Sequence, residues 1–259
     1  MKRASWNGHF CLGSVVIPVK LYTATMPTGP EFVQVHKEDM APVKRQLICS
    51  QDGKELTSDD IVRAVEHNNH YIAISNIDEV KSHVDRDIIV RQFTDVSHIH
   101  SLYYDKPYYL VPDDKGEMAY TTLRNALKSA NKIAVVTYSL YGRAHVGIIG
   151  PTDGVMILQQ LKYASELVDT RDIKMSSLPQ PSPDLVDLAV RLIDKYSTDF
   201  YLDDYRNEQL DSLRQLIDRT VKGLPAPKSK PAIEEDITPE AELTSKLAGL
   251  LDASEKTLS

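Results

Sequence analysis

A chain of 259 residues with 42% hydrophobic side chains is long enough to bury a core, and it contains no apolar run of the length a membrane-spanning helix needs. Its net charge of −7 argues against a uniformly basic nucleic-acid-binding surface, and its two cysteines, Cys11 and Cys49, suit reduced, buried thiols of a cytoplasmic protein better than a disulfide framework. The acidity is uneven: residues 1–174 carry 20 Lys and Arg against 21 Asp and Glu, a balance of −1, while residues 175–259 carry 10 against 16, a balance of −6, so the total does not exclude a basic face on the first part.

In chain order, the opening "MKRASWNGHF" lacks the apolar stretch and cleavage site of a secretory signal. "VVIPVKLYTAT" is rich in β-branched residues and predicts a strand, with Pro18 pointing to an edge or a strand start. "EFVQVHK" and "VKRQLIC" are two further strand candidates, and Asp52-Gly53 in "CSQDGKEL" predicts a hairpin turn. "SNIDEVKS" suggests a short helix capped by Ser75; "DIIVRQF" and "PYYLVP" then read as strands. "KIAVVTYSLYGRAHVGIIGP" predicts a hairpin turning near Gly142, and "GVMILQQLKY" a buried strand. Many strands and few helices predict a mainly β fold with α additions, a barrel or a sandwich.

One helix interrupts the strands, from Glu117 to Ala130. Tyr120, Leu123, Ala126 and Leu127 form its apolar stripe, and Arg124 and Lys128 are i, i+4 neighbours on another face. Beyond "SSLPQPSPD" the composition turns helical. In "SPDLVDLAVRLIDKY", Ser182 suits the N-cap and Pro183 the first turn. "LDDYRNEQLDSLRQLIDRTVK" predicts a second helix that ends at Gly223. A proline-rich linker follows, and then "PEAELTSKLAGLLDASEK", whose Leu243, Leu247, Leu250 and Leu251 fall on one side of a helix too short to be stable alone. That helix either folds on a partner or frays as a tail. The expected divisions are 1–174, 175–223 and 224–259.

No catalytic constellation is legible. Phosphate-binding glycine loops, nucleophile elbows and zincin helices are absent from the sequence. His98 and His100 would share a strand face, and His67 and His70 lie one helical turn apart, but neither pair has Cys or carboxylates at metal-ligand spacing. Asp113-Asp114, beside Pro112, is explained by a turn. No metal or cofactor is expected.

Three segments carry a resemblance. "SWNGHFCLGSVVIPVKLYTAT" contains Trp6, Gly8, Gly13 and the string Ile17-Pro18-Val19-Lys20-Leu21-Tyr22; "YYDKPYYLVPDDKGEMAYTTLRNAL" follows, then "LIDKYSTDFYLDDYRNEQLDSLRQLIDRTVKG". In this order they resemble the opening, the D-K-P-Y-Y-L segment and the C-terminal helical arm of the bacterial and phage Ku family. The resemblance implies a Ku-type β-barrel core, a ring-forming arm and a homodimer threaded onto double-stranded DNA ends. It also implies recruitment of an ATP-dependent end-joining ligase (of the ligase D type) in non-homologous end joining, no active site of its own, and a nucleoid-associated location without a membrane partner. Two departures stand out. Asp52 occupies the place of a second cysteine found in many members, and acidic "EEDITPE" stands where many members are lysine-rich.

A ring on intact duplex contacts phosphate and sugar, not base edges. Lys37, Lys44, Arg45, Lys106, Arg124, Lys128 and Arg143 are the candidate DNA contacts, chosen from charge and strand-loop placement. The four leucines of the terminal helix are the candidate ligase anchors. Tyr103, Tyr104, Tyr108 and Tyr109 are expected to pack, with alternate rings on opposite strand faces, because duplex offers no unstacked bases. Two other classes stay open: a β-barrel scaffold that docks helical partners without touching DNA, and a hydrolase whose active-site residues are scattered along the chain.

Overall fold

The computed structural model describes residues 3–74, 86–173, 180–225, 242–243 and 245–250. The chain separates into two units, residues 1–169 and 170–259. The first contains strands β1 (Trp6–Leu12), β2 (Val15–Thr23), β3 (Ala64–His67), β4 (His70–Ala73), β5 (Asp87–Thr94) and β6 (Tyr104–Pro112). Helix α1 (Glu117–Ala130) follows, then β7 (Ile133–Leu140), β8 (Arg143–Pro151) and β9 (Met156–Leu161). The second unit carries α2 (Pro183–Tyr196) and α3 (Glu208–Val221).

Seven strands close into a barrel in the order β1-β2-β6-β9-β8-β7-β5. Six seams are antiparallel; the seventh is a parallel β1–β5 pairing, Phe10 against Ile88. Gly8 permits this closure. A Cβ there would collide with the Arg86 carbonyl oxygen and the Trp6 ring, and that carbonyl accepts the His9 N–H at 2.7 Å. Alternation is plain along β7, where Ala134, Val136, Tyr138 and Leu140 are buried and the residues between them half-buried. A barrel of this size fills its interior with side chains. Phe10, Leu21, Ile88, Leu110, Ile149 and Leu158 form its centre, each fully buried.

Pro18 lies inside β2, one residue before β6 begins to pair at Val19–Pro112. The strand is therefore an edge locally, at the position where a missing N–H costs least. The helix runs over the residues its stripe predicts. Tyr120 and Leu127 are buried in the barrel's own core cluster and Leu123 packs against it, but Ala126 is exposed. Asn131 ends the helix in the left-handed region (φ 51°), with the Lys132 N–H donating back to the Leu127 carbonyl at 3.1 Å.

Between β2 and β5 the structure departs from the strand expectations. "EFVQVHK" and "VKRQLIC" form only isolated bridges, Val35–Pro42 and Ile48–Glu55, because each pairs with the few residues that return from its own turn, too short a pairing to make a ladder. The turn at Asp52-Gly53 is present, with the Gly53 N–H donating to the Cys49 carbonyl at 3.0 Å. A hairpin not foreseen, β3–β4, turns at Asn68 and Asn69, both with positive φ (50° and 61°). It makes His67 and His70 cross-strand partners rather than neighbours on a helix. The segment with His98 and His100 forms two 3-10 turns, not a strand. The expected Ser75 cap lies outside the described residues.

Ser182 caps α2 through the Leu185 N–H, as its position predicts. Helix α3 begins later than expected. Asn207 accepts from the Leu210 N–H at 3.0 Å and sets the start, leaving only a 3-10 turn at Leu202–Asp204. Gly223 closes the helix with φ 68°.

Candidate nucleic-acid interface

Residues 31–74 form an arm inserted between two barrel strands, and all of them except Cys49 and Leu56 are exposed. Apolar side chains share that exposure: Phe32 (74%), Val33 (78%), Val62 (71%) and Tyr71 (79%) face solvent in the single chain. Lys37 sits on a turn closed by the Met40 N–H to the His36 carbonyl and by an Asp39–His36 contact of 2.9 Å. Lys44 and Arg45 follow it, both exposed and outside any ladder. Lys54 and Arg63, also exposed on the arm, are cations that charge and placement equally well point to.

The helix cations are less free. Arg124 is half-buried and its guanidinium donates to the Gly154 carbonyl at 2.5 Å, while Lys128 stands 3.6 Å from Asp153. Both are tied to the β8–β9 turn. Lys132, just beyond the helix, pairs with both Asp95 carboxylate oxygens at 2.7 Å, which holds Asp95 below the usual carboxylate range. Lys20 does the same for Asp113, through a 2.7 Å hydrogen bond.

Lys106 and Arg143, 37 positions apart in the numbering, come together. The β6–β9 register shifts between Tyr104 and Pro107, so Asp105 and Lys106 form a bulge. Arg143 opens β8 just after the Tyr141-Gly142 turn, where both residues take positive φ, 53° and 75°. The bulge and the turn border one hollow, lined also by Tyr108, His145, Lys162, Tyr163 and Glu166. Tyr108 is buried while its neighbour Tyr109 is exposed, the alternation expected of β6. Tyr104 and, on the 3-10 turn before the strand, Tyr103 are exposed too, so only Tyr108 of the four tyrosines expected to pack enters the core. Behind the hollow, burial pushes the Tyr138 hydroxyl far above its ordinary value. Burial also lowers the His145 imidazole below its ordinary 6.5, against a hydrogen bond to Leu140 and the charges of Asp105 and Glu166. Lys162, which no pattern in the sequence singles out, lies between two acids, 3.5 Å from Asp105 and 3.9 Å from Glu166.

The candidate cations thus occupy three places: the arm, the outer side of α1, and the bulge with its facing turn. No group of three or more His, Cys, Asp or Glu among the described residues is arranged to hold a metal ion. Cys49 contacts the Asp52 carboxylate, and that contact leads the causes holding Asp52 below the usual range. In the terminal segment, 242–243 and 245–250 are helical, with Leu243 and Leu247 half-buried and Leu250 exposed; Leu251 lies outside the described residues. No helix among the described residues is long and apolar enough to cross a membrane.

A closed seven-stranded barrel with one parallel seam and a long insertion between β2 and β5, exposed over residues 31–74, defines the first unit as a β-barrel domain. Residues 12–188 match the Ku70/Ku80 beta-barrel domain. The chain belongs to the Ku family. It is similar to the non-homologous end joining protein Ku of Archaeoglobus fulgidus, 29% identical over 225 residues that cover 85% of this chain and 89% of the relative. The protein of the same name from Bacillus subtilis is 26% identical over 96% of this chain and 80% of the relative. That from Pseudomonas aeruginosa is 27% identical over 98% and 86%.

Proposed function

We propose that this protein binds the ends of double-stranded DNA as a ring-shaped homodimer and brings an end-joining ligase to them in non-homologous end joining. The observation that carries the reading is the arm. Within residues 31–74 only Cys49 and Leu56 escape exposure, and the exposed set includes large apolar side chains. A soluble monomer rarely leaves so much apolar surface in water. A second copy of the chain covers it and, with two arms meeting, encloses a channel. The names of the relatives agree with this reading.

In the proposed division of labour, residues 1–174 form the barrel and arm, 175–223 the helical arm and 224–259 the linker and recruiting tail. Lys37, Lys44 and Arg45 on the arm, with Lys106 and Arg143, have the most freedom to meet phosphates. Arg124 and Lys128 contribute to the same field while they hold the β8–β9 turn. An interface made of phosphate contacts is sequence-independent and strongly salt-dependent. The specificity for ends then comes from topology, since a closed ring loads only where a strand pair terminates.

A gel shift with a linear duplex and a covalently closed circle of the same sequence tests this. Binding to the linear form alone, with capacity growing with length, is expected. Equal binding to the circle sinks threading, and binding to neither favours the protein-docking scaffold.

A further inference from the structure

The hollow between the β6 bulge and the β7–β8 turn is built for more than a passing backbone contact. Its two acids are already engaged. Asp105 accepts from the Gln160 amide at 2.8 Å and faces Lys162, and Glu166 accepts from the Tyr163 N–H at 2.8 Å and faces the same lysine. Lys162 is consumed between them. Lys106 and Arg143 are exposed and have no carboxylate partner among the described residues. Three cations against two anions leave a balance of +1, with both unspent cations on the rim, and at neutral pH the lowered His145 adds no charge.

The volume is about 540 Å³, in the range of small-molecule sites and larger than one phosphate fills. Tyr141 lines the same hollow with 78% of its surface exposed, a ring free to take a planar partner. Its positive φ of 53° is strained for an aromatic residue, which marks a place where local conformational cost is tolerated. An Arg fork and a Lys suit a dianionic group, and an exposed ring beside them suits a base.

We propose that this hollow binds a terminal nucleoside phosphate, with the monoester on Lys106 and Arg143 and the base against Tyr141. Such a group has two sources, a free nucleotide or the phosphorylated end of a DNA strand. The inference deepens the DNA-binding reading and rests on it only for the second source.

Isothermal titration calorimetry of the full chain with dAMP, deoxyadenosine and inorganic phosphate reads the hollow. A 5′-phosphorylated trinucleotide and its 5′-hydroxyl counterpart, too short to be encircled, distinguish the sources. dAMP is expected to bind at least tenfold more tightly than deoxyadenosine. The double variant Lys106→Gln/Arg143→Gln should weaken dAMP by roughly ten- to hundredfold, the loss of charge-assisted hydrogen bonds. Tyr141→Ala should bring dAMP down to the affinity of inorganic phosphate. Competition by the phosphorylated trinucleotide assigns the strand end; dAMP binding without it assigns the free nucleotide.

Equal binding of dAMP and deoxyadenosine overturns the proposal, as does unchanged dAMP binding in the double variant. Capture of an Asp/Glu-rich peptide in place of dAMP also overturns it. A long duplex with hydroxyl ends reads the channel separately. Its loss with dAMP binding intact refutes the ring alone, and its retention without dAMP binding refutes the hollow alone.

Discussion

Tyr120→Phe removes one oxygen atom from the junction between α1 and the barrel. The Tyr120 hydroxyl donates to the Leu110 carbonyl of β6 at 2.6 Å and accepts the Met156 N–H at the start of β9 at 2.6 Å. The side chain is 3% exposed and Met156 is fully buried, so water has no easy route to replace the oxygen. The ring of Phe preserves the packing. The lost donor bond costs about 1 kcal/mol, and leaving the Met156 N–H without this acceptor about 1–3 more, for a total of about 2–4 kcal/mol. For a unit of this size each kcal/mol lowers the midpoint by roughly 2–4 °C, so the thermal midpoint should fall by roughly 5–15 °C. Urea unfolding of wild type and variant, compared at equal slope, measures the difference directly. A loss under about 0.5 kcal/mol would show that the hydroxyl does not stitch helix to barrel, and that α1 is held by apolar contact alone.

Replacing Lys44 and Arg45 together with Ala should weaken binding to every duplex sequence alike and reduce the slope of log K against log salt by about 2 per protomer, at roughly 0.9 per phosphate contact. An unchanged slope removes both from the interface. His145 supplies a pH dependence. Its folded pKa lies below the ordinary 6.5, so above 6.5 both states are neutral and indifferent to pH; as pH falls below 6.5 the unfolded chain takes the proton first and stability declines until the lowered folded pKa is passed. His145→Gln should therefore lose less stability than wild type between pH 7.5 and 5, read as urea midpoints, and equal losses contradict the assignment. Leu247→Glu with Leu250→Glu should reduce capture of the end-joining ligase at least tenfold while leaving the DNA gel shift unchanged; loss of both activities would place these leucines in the fold instead.

Local rules made much of the barrel readable. β-branched alternation marks β2 and β7, the 3.6-residue stripe marks a helix at about Glu117–Ala130, and Gly142 and Ser182 mark a turn and a cap through chemistry confined to a few neighbours. The Asn68-Asn69 turn carried an equally local signal, and its short flanking strands, all exposed, lack the buried face that makes a strand stand out. "EFVQVHK" failed in the other direction. Its residues suit a strand, but a ladder needs successive pairs, and among the described residues its pairing is the single bridge Val35–Pro42.

What the sequence determined by itself is the inventory: a mainly β core, one amphipathic helix on it, a helical C-terminal part, and three motifs in the order of the Ku family. Periodicity records which face of each element is buried, and that is a local property. Tertiary structure alone decided the parallel β1–β5 closure, the 105–106 bulge, and the meeting of Lys106 with Arg143 across one hollow. It also decided which cations are spent: Arg124, Lys128, Lys132 and Lys162 are held by groups far away in sequence. The parallel closure and the long-range partners of these cations are contacts between distant segments, and no short stretch of sequence contains both sides; only Lys162 has a local acid as well, its i+4 neighbour Glu166.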